Sequence, residues 1–264
     1  LKNKIAAELR SNNKTNRTVG KNMDRIMELL SKLRFYGMLE TYRNDCRTTS
    51  SDGMTNDEFL KWILESEYDY RRNVSIERLI RSANFRYKAY MEKIDYTIKR
   101  NLDRNRIERL ASLDFIRDGQ NIFITGSSGT GKSYIASAIG YEACKNGIRT
   151  LYSNASKLIG QLKMAKNKGT IEAEMKKIEK CSLLILDDLF LIGLDARERS
   201  ILMEIIEDRH GLKSIIITSQ LPVESWYDAI GDPTVADAIL DRIVHTAHKI
   251  ELTGDSVRKI NAKK

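Results

Sequence analysis

The chain has 264 residues, 41% hydrophobic and 31% charged, enough to enclose one or two cores under a large polar surface. No run approaches the roughly 18 uninterrupted apolar residues of a membrane helix, and the first twenty residues hold no apolar signal-peptide core, so no membrane association is expected. The formal charge of +9 is uneven: residues 1–110 carry 24 Lys+Arg against 16 Asp+Glu, a balance of +8, and residues 111–264 carry 21 against 20, a balance of +1.

Residues 1–20 read as a flexible polar arm, because Ser11–Thr18 offers almost nothing to bury. A helix is predicted over Met23–Asn44, where Met23, Ile26, Leu30 and Leu33 recur at helical spacing. Thr48–Gly53 has turn chemistry. Thr55 followed by Glu58 forms a capping box ahead of Phe59 and Leu60. The helix it opens runs to about Ser82, with Phe59, Ile63, Tyr70 and Val74 along one face and Arg71, Arg72, Arg78 and Arg81 along another. Residues 84–100 interleave Phe85, Tyr87, Tyr90 and Tyr96 with Arg86, Lys88, Lys93, Lys99 and Arg100. Residues 71–109 hold 12 basic and 5 acidic side chains, or +7. Such a surface attracts polyanions, and Arg71, Arg72, Arg78, Arg81 and Lys88 are candidate DNA contacts. A solvated helix face, with aromatics packing the end of a helical domain, explains the same pattern. Residues 21–100 are thus read as a helical N-terminal domain for DNA or a partner.

After a short helix at Arg104–Ala111 the texture changes. Apolar runs at Asn121–Thr125, Thr150–Ser153, Leu183–Leu186, Ser214–Thr218 and Lys249–Leu252 alternate with helical patterns. This predicts an α/β domain over residues 101–264, a parallel sheet with helices on both faces and a ligand along one sheet edge. Cys46, Cys144 and Cys181 are odd in number and far apart, which favours free thiols in a reducing compartment, the cytoplasm by default.

The chemistry concentrates at three strand ends. Gly126-Ser127-Ser128-Gly129-Thr130-Gly131-Lys132-Ser133 satisfies the phosphate-loop pattern, between a strand at Ile122–Thr125 and a helix over Ile135–Ala143, and Tyr134 just after it joins the loop residues as a candidate nucleotide contact. Backbone N–H groups there can wrap phosphate oxygens, with Lys132 reaching the outer phosphates of ATP and the Ser133 hydroxyl ligating Mg2+. Leu183–Leu186 ends in Asp187-Asp188. On a strand neighbouring the loop strand, Asp187 would hold the metal or its water shell and Asp188 would polarise the attacking water. Ser214–Thr218 ends in Thr218-Ser219-Gln220, where Ser219 or Gln220 is preferred for contact with the γ-phosphate, ordinary strand-end capping being the rival reading. His245 and His248 lack a third ligand, so a metal there is not expected.

Ser112–Ile116, the phosphate loop, Gly140–Cys144, Leu184–Asp188, and Gly231-Asp232-Pro233 through Asp241-Arg242 to Arg258 together resemble the IstB-type ATPases. These are helpers of insertion-sequence transposition, related to the DnaC helicase loaders within the AAA+ superfamily. The resemblance spans about Ile26 to Arg258. It implies a helical N-terminal region and an AAA+ core without a C-terminal lid domain. It also implies ATP-dependent self-assembly on duplex DNA, with nucleotide between subunits, and recruitment of a transposase. It makes Arg242 the candidate arginine finger and Arg258 a second nucleotide sensor. Two positions depart from the wider superfamily: Asp188 stands where Glu is common, and no sensor Asn is evident near Ser219.

The reading is a DNA-stimulated ATPase serving a transposase. A replicative-helicase loader is the nearest alternative, distinguished by its partner. A small-molecule kinase would need an arginine-bearing lid, and a module using ATP only to set its shape would show negligible turnover.

Overall fold

The computed structural model describes residues 22–45, 53–245 and 247–261. The turn expected at Thr48–Gly53 and the arm over residues 1–20 fall outside them, apart from Gly53. Two compact units part between Ser75 and Ile76, whereas the sequence suggested a boundary near residue 100.

In the first unit the helix expected over Met23–Asn44 is two helices: α1, residues 22–32, and α2, Tyr36–Asp45. The break has a local cause. Arg34 adopts a left-handed φ of 59°, while the Arg34 and Phe35 N–H groups donate back to the Ser31 and Leu30 carbonyls, the two bonds of a Schellman ending. The start of α2 is fixed by α3, Asn56–Ala83. Glu67 of α3 accepts from the N–H groups of Gly37 at 2.8 Å and Met38 at 3.2 Å, satisfying donors that a helix start leaves free. A Cβ at Gly37 would stand 2.5 Å from the Ser66 carbonyl oxygen, so only glycine lets the helices meet so closely. The Thr55–Glu58 capping box opens α3, with reciprocal bonds of 2.7 and 3.3 Å. Val74, expected on the buried face, is exposed.

The second unit is built on five parallel strands: β1 Asn121–Gly126, β2 Thr150–Asn154, β3 Leu183–Leu189, β4 Ser214–Ser219 and β5 Ala247–Leu252. Their order is β2-β3-β4-β1-β5. Helices α4, Arg104–Ala111, and α5, Asp114–Arg117, precede β1, and α6, Lys132–Lys145, follows it. Then come α7, Ala155–Asn167, α8, Ile171–Glu179, and α9, Ala196–Arg209. After β4 lie α10, Trp226–Ile230, and α11, Pro233–Val244, and α12, Val257–Asn261, follows β5.

Strand pleating divides the core in two. Ile122, Ile124, Leu183, Ile185 and Ile216 face α6, whereas Phe123, Leu184, Leu186, Ile215 and Ile217 face α7, α9, α10 and α11, as a period of two requires. Trp226 is fully buried on the second face, 4.8 Å from the Phe123 ring and 5.5 Å from Phe190 between centroids. Where β3 and β4 begin, buried Arg209 donates to the carbonyls of Ile178, Cys181, Ser182 and Ser214, which leaves the opposite strand ends for chemistry. Cys144 and Cys181 are free and buried. No described helix is long and apolar enough to cross a membrane.

Candidate nucleotide site

The carboxyl end of β1 runs into the loop Gly126–Gly131, and α6 begins at Lys132. Gly126 has φ 139° and Gly131 φ 99°. A Cβ at Gly126 would meet the Leu252 carbonyl oxygen at 2.1 Å, and one at Gly131 would meet the Arg100 guanidinium at 2.5 Å. The loop is therefore clasped by β5 on one side and by the segment preceding the core on the other. The Thr130 hydroxyl donates inward to Ser127 O at 2.9 Å. Lys132 is 4% exposed, and its ammonium donates to Gly126 O and Ser127 O at 2.8 and 2.9 Å. Burial pulls its pKa down, while Asp188 and Asp187 oppose that by favouring the charge.

The acid pair is not on the adjacent strand, as the sequence suggested: β4 lies between β1 and β3. This interposed strand organises the acids. Thr218 of β4 donates to Asp187 Oδ1 at 2.6 Å and accepts from the Asp188 N–H at 2.9 Å. From the other side Tyr152 of β2 donates to Asp187 Oδ2 at 2.5 Å. Asp187 is fully buried, with each oxygen holding one hydroxyl and retaining lone-pair capacity. Burial, then the Asp187 hydrogen bond and charge, push the Tyr152 phenol up, so it remains a donor. The register of β3 against β4 shifts between Leu186 and Leu189, and at this bulge Asp188 takes a left-handed φ of 57°, a conformation Asp tolerates better than most residues. Its carboxylate faces an open cavity. Burial first, and Asp187 second, raise its pKa, with Lys132, Arg86 and Arg258 pulling the other way.

That cavity, about 560 Å³, is lined by Ser128, Gly129, Gly131, Lys132, Ser133, Tyr134, Asp188, Gln220 and Arg258. With Val257, the remaining wall is a stretch that the sequence assigned to a helical domain for DNA or a partner: Arg86, Tyr87, Lys93, Ile94, Asp95, Ile98 and Arg100. Arg100 is 5% exposed and donates to Thr130 O at 3.0 Å and Asp95 O at 2.8 Å, its Nε unpartnered. Arg258 donates to the Tyr87 hydroxyl at 3.4 Å. The sequence signal for this wall was present but ambiguous, since aromatic and basic residues suit a nucleotide as well as a nucleic acid.

Two expected residues stand elsewhere. Ser219 shares the pleat face of Ile215 and Ile217, is fully buried, and donates to Leu189 O at 2.8 Å. It caps the strand end, and Gln220 reaches the cavity instead. Arg242, on α11, is outside the cavity lining, pairs with Glu207 at 2.9 Å and donates to Ala238 O at 2.8 Å. Among the candidate DNA contacts, Arg71 is bonded to Glu67 at 2.7 Å and stacked on Phe35 at 5.2 Å, and Arg81 lies 3.4 Å from Glu77. Arg72, Arg78 and Lys88 are exposed and form no ion pair among the described residues.

A phosphate loop at the mouth of β1, facing acids across an interposed β4, is the arrangement of P-loop ATPases of the AAA+ group. The family of IstB-like ATP binding proteins matches residues 28–264, and the chain belongs to it. It is 38% identical to the insertion-sequence ATP-binding protein y4pL of Sinorhizobium fredii over 90% of this chain and 97% of the relative. It is 31% identical to the IS5376 ATP-binding protein of Geobacillus stearothermophilus, over 89% and 94%. Among solved structures, DnaI aligns with a TM-score of 0.55 at 23% identity over 67% of this chain and 94% of its own. AMPPCP-bound DnaA of Aquifex aeolicus aligns with a TM-score of 0.52 at 26% identity, over 68% and 56%.

Proposed function

We propose that this ATPase binds Mg2+-ATP in the loop cavity, assembles on duplex DNA, hydrolyses ATP faster there, and serves a transposase in using target sites. The observation carrying the nucleotide reading is the convergence of Lys132, Ser133, Asp188 and Arg258 on one cavity backed by Asp187. Loop N–H groups and the start of α6 would hold the phosphates, with Lys132 moving from its loop carbonyls to the outer phosphates.

Ser133 and Asp187 are hard oxygen donors suited to Mg2+, which clamps and neutralises the phosphates when bound. No described cluster of three or more His, Cys, Asp or Glu offers a metal cage, and Mg2+ typically relies on few protein ligands plus phosphate and water. With Tyr152 and Thr218 on its oxygens, Asp187 suits the metal's water shell. In this reading Asp188, which lines the cavity, orients and polarises the attacking water, and Gln220 of the same lining contacts it.

The transposition reading rests on the insertion-sequence origin of the relatives, and the DNA reading on the +7 balance of residues 71–109. In this reading Arg242 exchanges Glu207 for a neighbour's phosphate when subunits assemble. Variants separate the roles. Lys132→Ala should lose nucleotide binding and, by itself, assembly on DNA, joining only assemblies begun by nucleotide-bound subunits. Asp188→Asn should bind ATP, turn it over slowly and leave long-lived DNA complexes. Wild-type turnover by Asp188→Asn would remove that residue from the mechanism.

A further inference from the structure

We propose that Arg86 is a phosphate-binding arginine of its own subunit's site, meeting the terminal phosphate of ATP on the side of Asp188. The inference rests on the nucleotide reading above and adds a residue to it. The chain leaves α3 at buried Ala83 and turns through Asn84 at a left-handed φ of 59°. Phe85 then fixes the backbone. Its ring lies 6.0 Å from Tyr141 and 6.3 Å from Tyr152, and a Cβ at Gly140 would stand 2.8 Å from it. The phenyl group is thus wedged against α6 and β2, the strand that supplies the hydroxyl holding Asp187.

The next residue, Arg86, lines the cavity with Lys132, Ser133 and Asp188. Its guanidinium is exposed, has no carboxylate partner among the described residues, and stacks over the Tyr87 ring at 5.3 Å. Tyr87 in turn accepts from Arg258, so one aromatic ring organises two cavity arginines. The preceding Phe85 packs on Tyr152, whose hydroxyl holds Asp187, and Arg86 and Asp188 line the same cavity, which places Arg86 toward the acid end. ATP adds several negative charges beside two carboxylates. A planar guanidinium with free donors can neutralise the outer ones in a geometry an ammonium cannot copy.

The test compares Arg86→Ala and Arg86→Lys with wild type. Turnover of Mg2+-ATP on duplex DNA should fall at least tenfold in Arg86→Ala and less in Arg86→Lys. Affinity for a non-hydrolysable ATP analogue should fall several-fold while ADP affinity stays within twofold. Arg86→Ala mixed with Lys132→Ala should gain nothing over Arg86→Ala alone, because neither subunit type has a complete site. Unchanged turnover, an equal loss of ADP affinity, or activity recovered on mixing would each overturn the proposal. A wild-type chain that binds neither nucleotide would overturn the ATPase reading beneath it as well.

Discussion

Tyr152 and Asp187, on adjacent parallel strands, share a 2.5 Å hydrogen bond in which the phenol donates to the carboxylate. Thr218 holds the other oxygen, so the acid is fixed in rotation before any metal arrives. Preorganisation of this kind matters most where charge develops during reaction. Tyr152→Phe should leave nucleotide affinity nearly unchanged in the absence of metal, raise the Mg2+ concentration for half-maximal activity, and lower kcat about tenfold, within the range set by outer-shell hydrogen bonds. Identical Mg2+ titrations for the two proteins would make the tyrosine a packing residue only.

The pH profile should report the same acids. Burial and Asp187 hold Asp188 above its ordinary 3.8, and burial holds Lys132 below its ordinary 10.5. If Asp188 works ionised, kcat/KM rises with pH through the raised Asp188 pKa. If Lys132 works charged, kcat/KM falls on the alkaline side through the lowered Lys132 pKa, both read in the free enzyme. Asp188→Asn should abolish the acid limb of whatever activity remains and keep the alkaline one. An acid limb that survives this substitution belongs to another group.

DNA affinity should be strongly salt-dependent, with the log-affinity against log-salt slope falling by about 0.9 for each phosphate contact removed. The informative set is Arg72, Arg78, Arg81 and Lys88. Arg71 is left in place because it balances Glu67, which also caps α2. Alanine at all four positions should flatten the slope while sparing nucleotide binding. An unchanged slope would move the DNA contacts to the ATPase core.

Arg242 is tested by mixing. Within one chain it is paired with Glu207 and bonded to Ala238 O, so a role in a neighbour's site requires assembly. Arg242→Ala and Lys132→Ala should each be inactive, since an arginine finger is worth about a thousandfold or more, and together on DNA they should recover activity. A dead mixture that still co-assembles would leave Arg242 as a salt-bridge residue.

Much of the framework was legible in the sequence because its signals are local. Leu183–Leu186 is uniformly apolar because a parallel strand is buried on both faces, and Gly126–Ser133 carries its function in its own backbone. Strand order was not legible. That β4 separates β1 from β3 depends on contacts far apart in the chain, and so does the grip of Thr218 on Asp187. Of the pair Ser219 and Gln220, the alternation separates the two: Ser219 follows the parity of buried Ile215 and Ile217 and is itself buried, and Gln220 lines the cavity. The stretch from Arg86 to Arg100 was read with the helical region, because aromatic-basic composition does not say which surface it lines; in the fold it lines the loop cavity.

In the proposed function this cavity hydrolyses ATP in response to DNA. The most direct test is steady-state ATP turnover of wild type and Lys132→Ala, each with Mg2+, with and without duplex DNA. Wild-type turnover should rise several-fold on adding duplex and be absent in Lys132→Ala under both conditions. Turnover indifferent to DNA would contradict the DNA-coupled function, and turnover that survives in Lys132→Ala would contradict the site itself.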